Sequence, residues 1–175
     1  YSVQQTNDGG YIITGLKSIF DSSFNLEGNV FLIKTDENGD SLWTKTFGGT
    51  ENELGRSIQQ TNDGGYIITG YTNSFGNGTE DLYLIKTDNN GDSLWTKTFG
   101  GTSNESGSSV QQTSDGGYII TGSTWSFGNG ITDVYIIKTD ENGDSLWTKN
   151  FDGDCGYSVQ QTNDGGYIIT GSKSI

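Results

Sequence analysis

The chain has 175 residues, with 9 basic and 22 acidic side chains and a formal charge of −13. That anionic excess opposes nucleic acid or an anionic membrane as partner, and no apolar run reaches the roughly 18 residues of a membrane-spanning helix. Histidine is absent, which removes imidazole bases, the Ser-His-Asp triad and histidine metal ligands.

A repeat organises everything else. Gln-Gln-Thr-x-Asp-Gly-Gly-Tyr-Ile-Ile-Thr-Gly begins at Gln4, Gln59, Gln111 and Gln160, at spacings of 55, 52 and 49 residues. Between copies, Ile-Lys-Thr-Asp-x-Asn-Gly-Asp-Ser-Leu-Trp-Thr-Lys recurs around Trp43, Trp95 and Trp147. With 28 glycines and 30% hydrophobic residues, composition alone would permit disorder. The positions of the apolar residues oppose it, because aromatic and β-branched runs alternate with glycine turns.

In chain order, each unit predicts four strands. The first covers Ser2 to Thr6 and the second Tyr11 to Gly15, joined by Asn-Asp-Gly-Gly, a tight-turn signal because glycine tolerates positive φ. A loop from Leu16 to Asn29 leads to the third strand, Val30 to Thr35, which recurs as Leu82 to Thr87 and Val134 to Thr139. An Asn-Gly turn at residues 36–40 leads to the fourth strand, Leu42 to Phe47. The unit boundaries fall at 1–55, 56–107, 108–156 and a partial 157–175. Four antiparallel strands per unit of this length predict an all-β protein of β-propeller-type blades. The chain then holds about three and a half blades of a larger propeller, continued by a longer chain or shared with other copies of itself. The structural role falls to Trp43, Trp95 and Trp147, as wedges between stacked blades. All carboxylates are expected in turns or loops. The lysines of the third and fourth strands are expected to protect sheet edges by charge.

The repeated unit resembles the bacterial β-propeller repeats of secreted and cell-surface proteins. Its Asp36, Gly39 and Trp43 stretch is similar to the tryptophan-docking repeat of quinoprotein-type propellers, with a turn one residue shorter. The resemblance implies a scaffold outside the cell or on its surface, often beside adhesion modules. It implies no quinone, since no cofactor-coordinating cluster accompanies it.

Length variation is confined to the loops between second and third strands and between units, which share one propeller face. That face is the candidate ligand surface, with Phe20, Phe24, Tyr71, Phe75, Trp125 and Phe127. The alternative is that Ser-Phe-Gly-Asn-Gly, at Ser74 and Ser126, packs on itself as a plug. Asp36-x-Asn38-x-Asp40, Asp88-x-Asn90-x-Asp92 and Asp140-x-Asn142-x-Asp144 open like a Ca²⁺ loop. No glutamate follows at the twelfth position, so a plain hairpin turn explains the same letters. Asn77 and Asn104 begin glycosylation sequons. Cys155 is alone and is read as incidental. The functional expectation is a non-enzymatic module with a structural, protein-binding or glycan-binding role. The alternatives are a Ca²⁺-dependent or carbohydrate-binding adhesin and, through paired carboxylates, a glycoside-processing enzyme.

Overall fold

The computed structural model describes residues 1–20, 26–128 and 131–174. Its described elements are all β, in antiparallel sheets taken in chain order. The first blade comprises β1 (Ser2–Gln5), β2 (Tyr11–Phe20), β3 (Leu26–Thr35) and β4 (Ser41–Phe47). The second comprises β5 (Glu53–Gln60), β6 (Tyr66–Thr72), β7 (Asp81–Thr87) and β8 (Ser93–Phe99). The third comprises β9 (Glu105–Gln112), β10 (Tyr118–Thr124), β11 (Asp133–Thr139) and β12 (Ser145–Asp152). A two-strand sheet follows, β13 (Cys155–Gln161) and β14 (Tyr167–Ser172). The four-stranded, meandering blades of a propeller are therefore present, with half a blade after them.

Local chemistry accounts for each hairpin. In the β1–β2 turn, the Thr6 amide donates to the Gly10 carbonyl at 2.9 Å, and Gly9 sits at φ +87°. β5 and β9 each begin three residues ahead of the expected unit starts, and each carries a bulge. Gly70 lies opposite the first of these bulges. A Cβ there would come 1.7 Å from the carbonyl oxygen of Leu54, so only glycine fits.

One expectation for the first blade needs correction. The segment from Leu16 to Asn29 is not all loop: β2 and β3 continue pairing from Leu16 opposite Val30 to Phe20 opposite Leu26. The extra residues lengthen a hairpin whose β-forming side chains sustain the ladder. In the third unit, by contrast, β12 runs to Asp152 and leaves only Gly153 and Asp154 before β13.

Alternation along the strands builds the core between blades. Ile12, Val30 and Leu32 face Ile58, Tyr66, Ile68, Tyr83 and Ile85 of the second blade. The neighbouring Ile67, with Leu82 and Leu84, faces the other way, onto Val110, Tyr118, Ile120, Tyr135 and Ile137. Each blade thus has two apolar faces, the condition for stacking units around an axis.

Candidate functional site

The turns at one end of the blades form a charged rim. Asp8 Oδ1 accepts from the Thr6 hydroxyl at 2.5 Å and from the Gly10 amide at 3.1 Å. Lys34 Nζ reaches Asp8 Oδ2 at 2.9 Å. The bond from Thr6, then that from Lys34, hold the Asp8 carboxyl at about 2, below its ordinary 3.8. Asp115 is likewise held at about 2, by Thr113 and Lys138. At Asp63, burial pushes the pKa up, but the bonds from Lys86 and Thr61 outweigh it and the net direction is down. Lys34, Lys86 and Lys138 are therefore not edge-protecting charges: they are buried on inner strands, each bound to a turn aspartate. The reason is positional, because β3, β7 and β11 have neighbours on both sides.

The other turns use their carboxylates on backbone. Asp36 Oδ1 accepts from the Asn38 and Asp40 amides, both at 2.9 Å, and Asp88 and Asp140 repeat the arrangement onto Asn90, Asp92, Asn142 and Asp144. Asp92 and Asp144 also receive Lys45 and Lys97 from the preceding blade, at 2.6 and 2.7 Å. Among the described residues, no three His, Cys, Asp or Glu side chains are grouped to hold a metal ion.

The seams between blades follow one design. Trp43 meets Tyr66 of the next blade edge to face, centroids 6.0 Å apart, and Trp95 meets Tyr118 at 5.8 Å. Each indole also lies over a turn glycine of that next blade: a Cβ on Gly91 would stand 2.7 Å from the Trp43 ring, and one on Gly143 2.7 Å from Trp95. Burial of the tyrosines pushes their hydroxyls up, that of Tyr118 to about 12.

Nearer the axis, glutamines clamp the same seams. Gln60 N donates to Gln4 Oε1 at 2.7 Å, and Asn7 N donates back to Gln60 Oε1 at 2.9 Å. The pattern recurs through Gln59, Asn62 and Gln112, and again through Gln111, Ser114 and Gln161. The sequence reading missed this role. The signal was present in the invariable Gln-Gln pair on a strand flanked on one side only by its own sheet.

The opposite, loop-bearing face is organised by buried carboxylates, which corrects the expectation that all acids lie in turns or loops. Glu53, Asp81, Glu105 and Asp133 open strands and are at most 3% exposed. Glu53 accepts from Gly49 N, Thr72 Oγ1 and Ser74 N, at 2.8 to 3.1 Å. Asp81 Oδ2 accepts from Asn77 N and Gly78 N. Glu105 repeats the Glu53 set through Gly101, Thr124 and Ser126. A loop carboxylate is stable when buried if backbone amides satisfy it.

These anchors place the predicted aromatics. Phe75 leans on Tyr83 at 5.8 Å and covers Gly49, and Phe127 repeats this on Tyr135 and Gly101. Tyr71 lies under Arg56 at 5.6 Å. Trp125 is 54% exposed. Phe24 lies outside the described residues, and Phe20 ends β2. Of the sequon asparagines, Asn77 is exposed while Asn104 is half-buried and its carbonyl accepts from Trp125 N.

The half-blade exposes what the other seams cover. Trp147 meets Tyr167 at 5.9 Å but is 36% exposed. Asp164 is bound by Thr162 and the Gly166 amide, with no lysine among the described residues. A cavity of about 380 Å³ opens toward the other end of β14, lined in part by Val134, Ile136, Phe151 and Ile169. Cys155 is a free thiol 3.5 Å from Ser108 Oγ in this seam.

Comparison with known proteins agrees with the architecture. No family model matches the chain. The regulatory protein FlaEY of Caulobacter vibrioides is 26% identical over 175 aligned positions, covering 86% of this chain and 18% of that protein. The crystal structure of the WD40 β-propeller domain of Doa1 superposes with a TM-score of 0.59 at 19% identity, over 98% of this chain and 47% of that one. The chain thus spans less than a fifth of the curated relative and about half of the solved domain. The fold is that of part of a β-propeller, built of four-stranded antiparallel blades.

Proposed function

We propose that the chain is a non-enzymatic binding and assembly module of an extracellular or cell-surface propeller, related to the bacterial surface repeats its sequence resembles. Protein partners fit the general role of WD40-type propellers as interaction platforms. The acidic surface and the repeat resemblance support the location.

One observation carries the assembly reading: the half-blade is shaped for a specific strand pair. At complete seams, a third strand brings a tyrosine and an isoleucine into the core (Tyr83 and Ile85, then Tyr135 and Ile137). It also brings a lysine to the turn aspartate, and its hairpin brings a glycine beneath the indole and an aspartate to the preceding lysine. At the last seam the matching features are Asp164, Trp147, Lys149 and the cavity beside Ile169. On this reading β14 is the edge that takes up a hairpin of this chemistry by strand addition. The buried Glu53, Asp81 and Glu105 are committed to loop amides, which supports a binding role over glycoside chemistry.

A synthetic peptide with the sequence of residues 133–149 tests this. Native mass spectrometry should show one peptide bound per chain, with a shift of the Trp147 indole N–H resonance of the ¹⁵N-labelled chain. A peptide carrying Lys138→Glu and Gly143→Val should bind at least tenfold more weakly. Equal binding of the two peptides, or none, would overturn the reading.

A further inference from the structure

The seams also open outward on the turn face, and the opening recurs. Between the first and second blades it measures about 330 Å³, walled by Trp43, Leu42, Asp8 and Asn89. Between the second and third it measures about 390 Å³, walled by Trp95, Leu94, Asp63 and Asn142. Both fall in the range of sites that enclose small molecules, roughly 300–1,000 Å³.

The two walls of each opening differ in chemistry. On one, a half-exposed indole stands beside a leucine that is 58% exposed. Neither Leu42 nor Leu94 belongs to the core between blades, so this apolar surface is turned to the opening. On the other wall, Asp8 Oδ1 is saturated by three donors, while Oδ2 holds only Lys34 and keeps acceptor capacity. Asp63 and Lys86 repeat this. The side chains of Asn7 and Asn89 are exposed at the rim, as are those of Asn62 and Asn142. Asp8 and Asp63 are each already paired with a lysine, which leaves the first opening without net charge, while Glu141 gives the second a further carboxylate acceptor where the first has Asn89.

A ligand that fits both openings needs an apolar face on one side, hydroxyls on the other and no anionic group. We propose that each complete seam binds one neutral hexopyranose residue. Its C–H face would lie on the indole and the leucine, and its hydroxyls would donate to the aspartate Oδ2 and bond the rim asparagines. Two such sites on successive seams would favour polysaccharides over free sugars by multivalency. The proposal is independent of strand addition at β14, since both openings lie between complete blades.

The test follows the four indole N–H resonances of the ¹⁵N-labelled chain, assigned by Trp→Phe variants, during titration with methyl glucoside, methyl galactoside, N-acetylglucosamine and their β-linked oligomers. Trp125, on the opposite face, is the internal control. For a single sugar ring, a Kd of roughly 1–10 mM is expected. At least one of these sugars should move Trp43 and Trp95 together and leave Trp125 in place. Leu94→Glu, at an exposed position, should abolish the shift at Trp95 and preserve that at Trp43. Shifts at Trp125 alone, no shifts with any of these sugars, or a Leu94→Glu chain that still responds at Trp95 would each overturn the proposal.

Discussion

Alanine substitution at two equivalent turn glycines separates the energy of a seam from the energy of a turn. Gly39 and Gly91 occupy the same position in successive blades, at φ +89° and +77°. Alanine at either incurs the left-handed backbone penalty of about 1–2 kcal/mol. At Gly39 the new methyl meets nothing within 4 Å, so the penalty ends there. At Gly91 it would stand 2.7 Å from two carbons of the Trp43 ring. The indole must then swing outward and lose its edge contact with Tyr66, which adds about 1–3 kcal/mol of overpacking cost. Urea unfolding followed by tryptophan emission should therefore show Gly91→Ala destabilised by about 1–3 kcal/mol more than Gly39→Ala. Gly143→Ala, beneath Trp95, should match Gly91→Ala. Equal losses at Gly39 and Gly91, within about 0.5 kcal/mol, would refute the claim that the indole presses on that turn.

Four further outcomes follow from the geometry. Asp8 and Asp115 are held at about 2 against an ordinary 3.8. Their depressed values contribute stability that is complete above about pH 4 and lost as pH falls toward 2, so the urea midpoint should drop across that window and drop less in Lys34→Met. Gln60→Ala removes the acceptor of the Asn7 amide and should cost about 0.5–1.5 kcal/mol, measured by urea unfolding; no change would mean water replaces the clamp. Glu105→Gln weakens the acceptor set of a buried carboxylate, with an expected loss of about 1–3 kcal/mol and faster hydrogen exchange at Ser126 and Phe127. Millimolar Ca²⁺ should leave the thermal midpoint unchanged, because Asp36, Asp88 and Asp140 are engaged by their own turn amides; a rise of several degrees would reinstate an ion site.

The fold was legible because its signals are local and repeated. The Asn-Gly and Asp-Gly-Gly turns and the β-branched runs between them each specify a hairpin, and a fifty-residue period requires a stack. What stayed hidden depends on the neighbouring blade. Lys34 reads as a surface charge until β3 is seen to have a neighbour on both sides. Glu53 and Glu105 read as loop acids until the amides of the next loop close over them. The glutamine pair looks like polar filler, because its acceptors serve the adjacent unit about fifty residues away. On the loop face, the Ser-Phe-Gly-Asn-Gly segments were readable either as plug or as ligand surface. The contacts of Phe75 on Tyr83 and Gly49 place that ring in packing, whereas Trp125 remains presented to solvent.

The central claim is that consecutive blades lean on one another through an indole seated on the next blade's turn glycine. Proton–proton NOE spectra of the intact chain in solution address it most directly. The structure predicts cross-peaks from the Trp43 ring to the Gly91 α-protons and from the Trp95 ring to those of Gly143, with none from any indole to Gly39. Indoles that touch only residues of their own blade, or a Gly39 cross-peak as strong as the other two, would contradict the account.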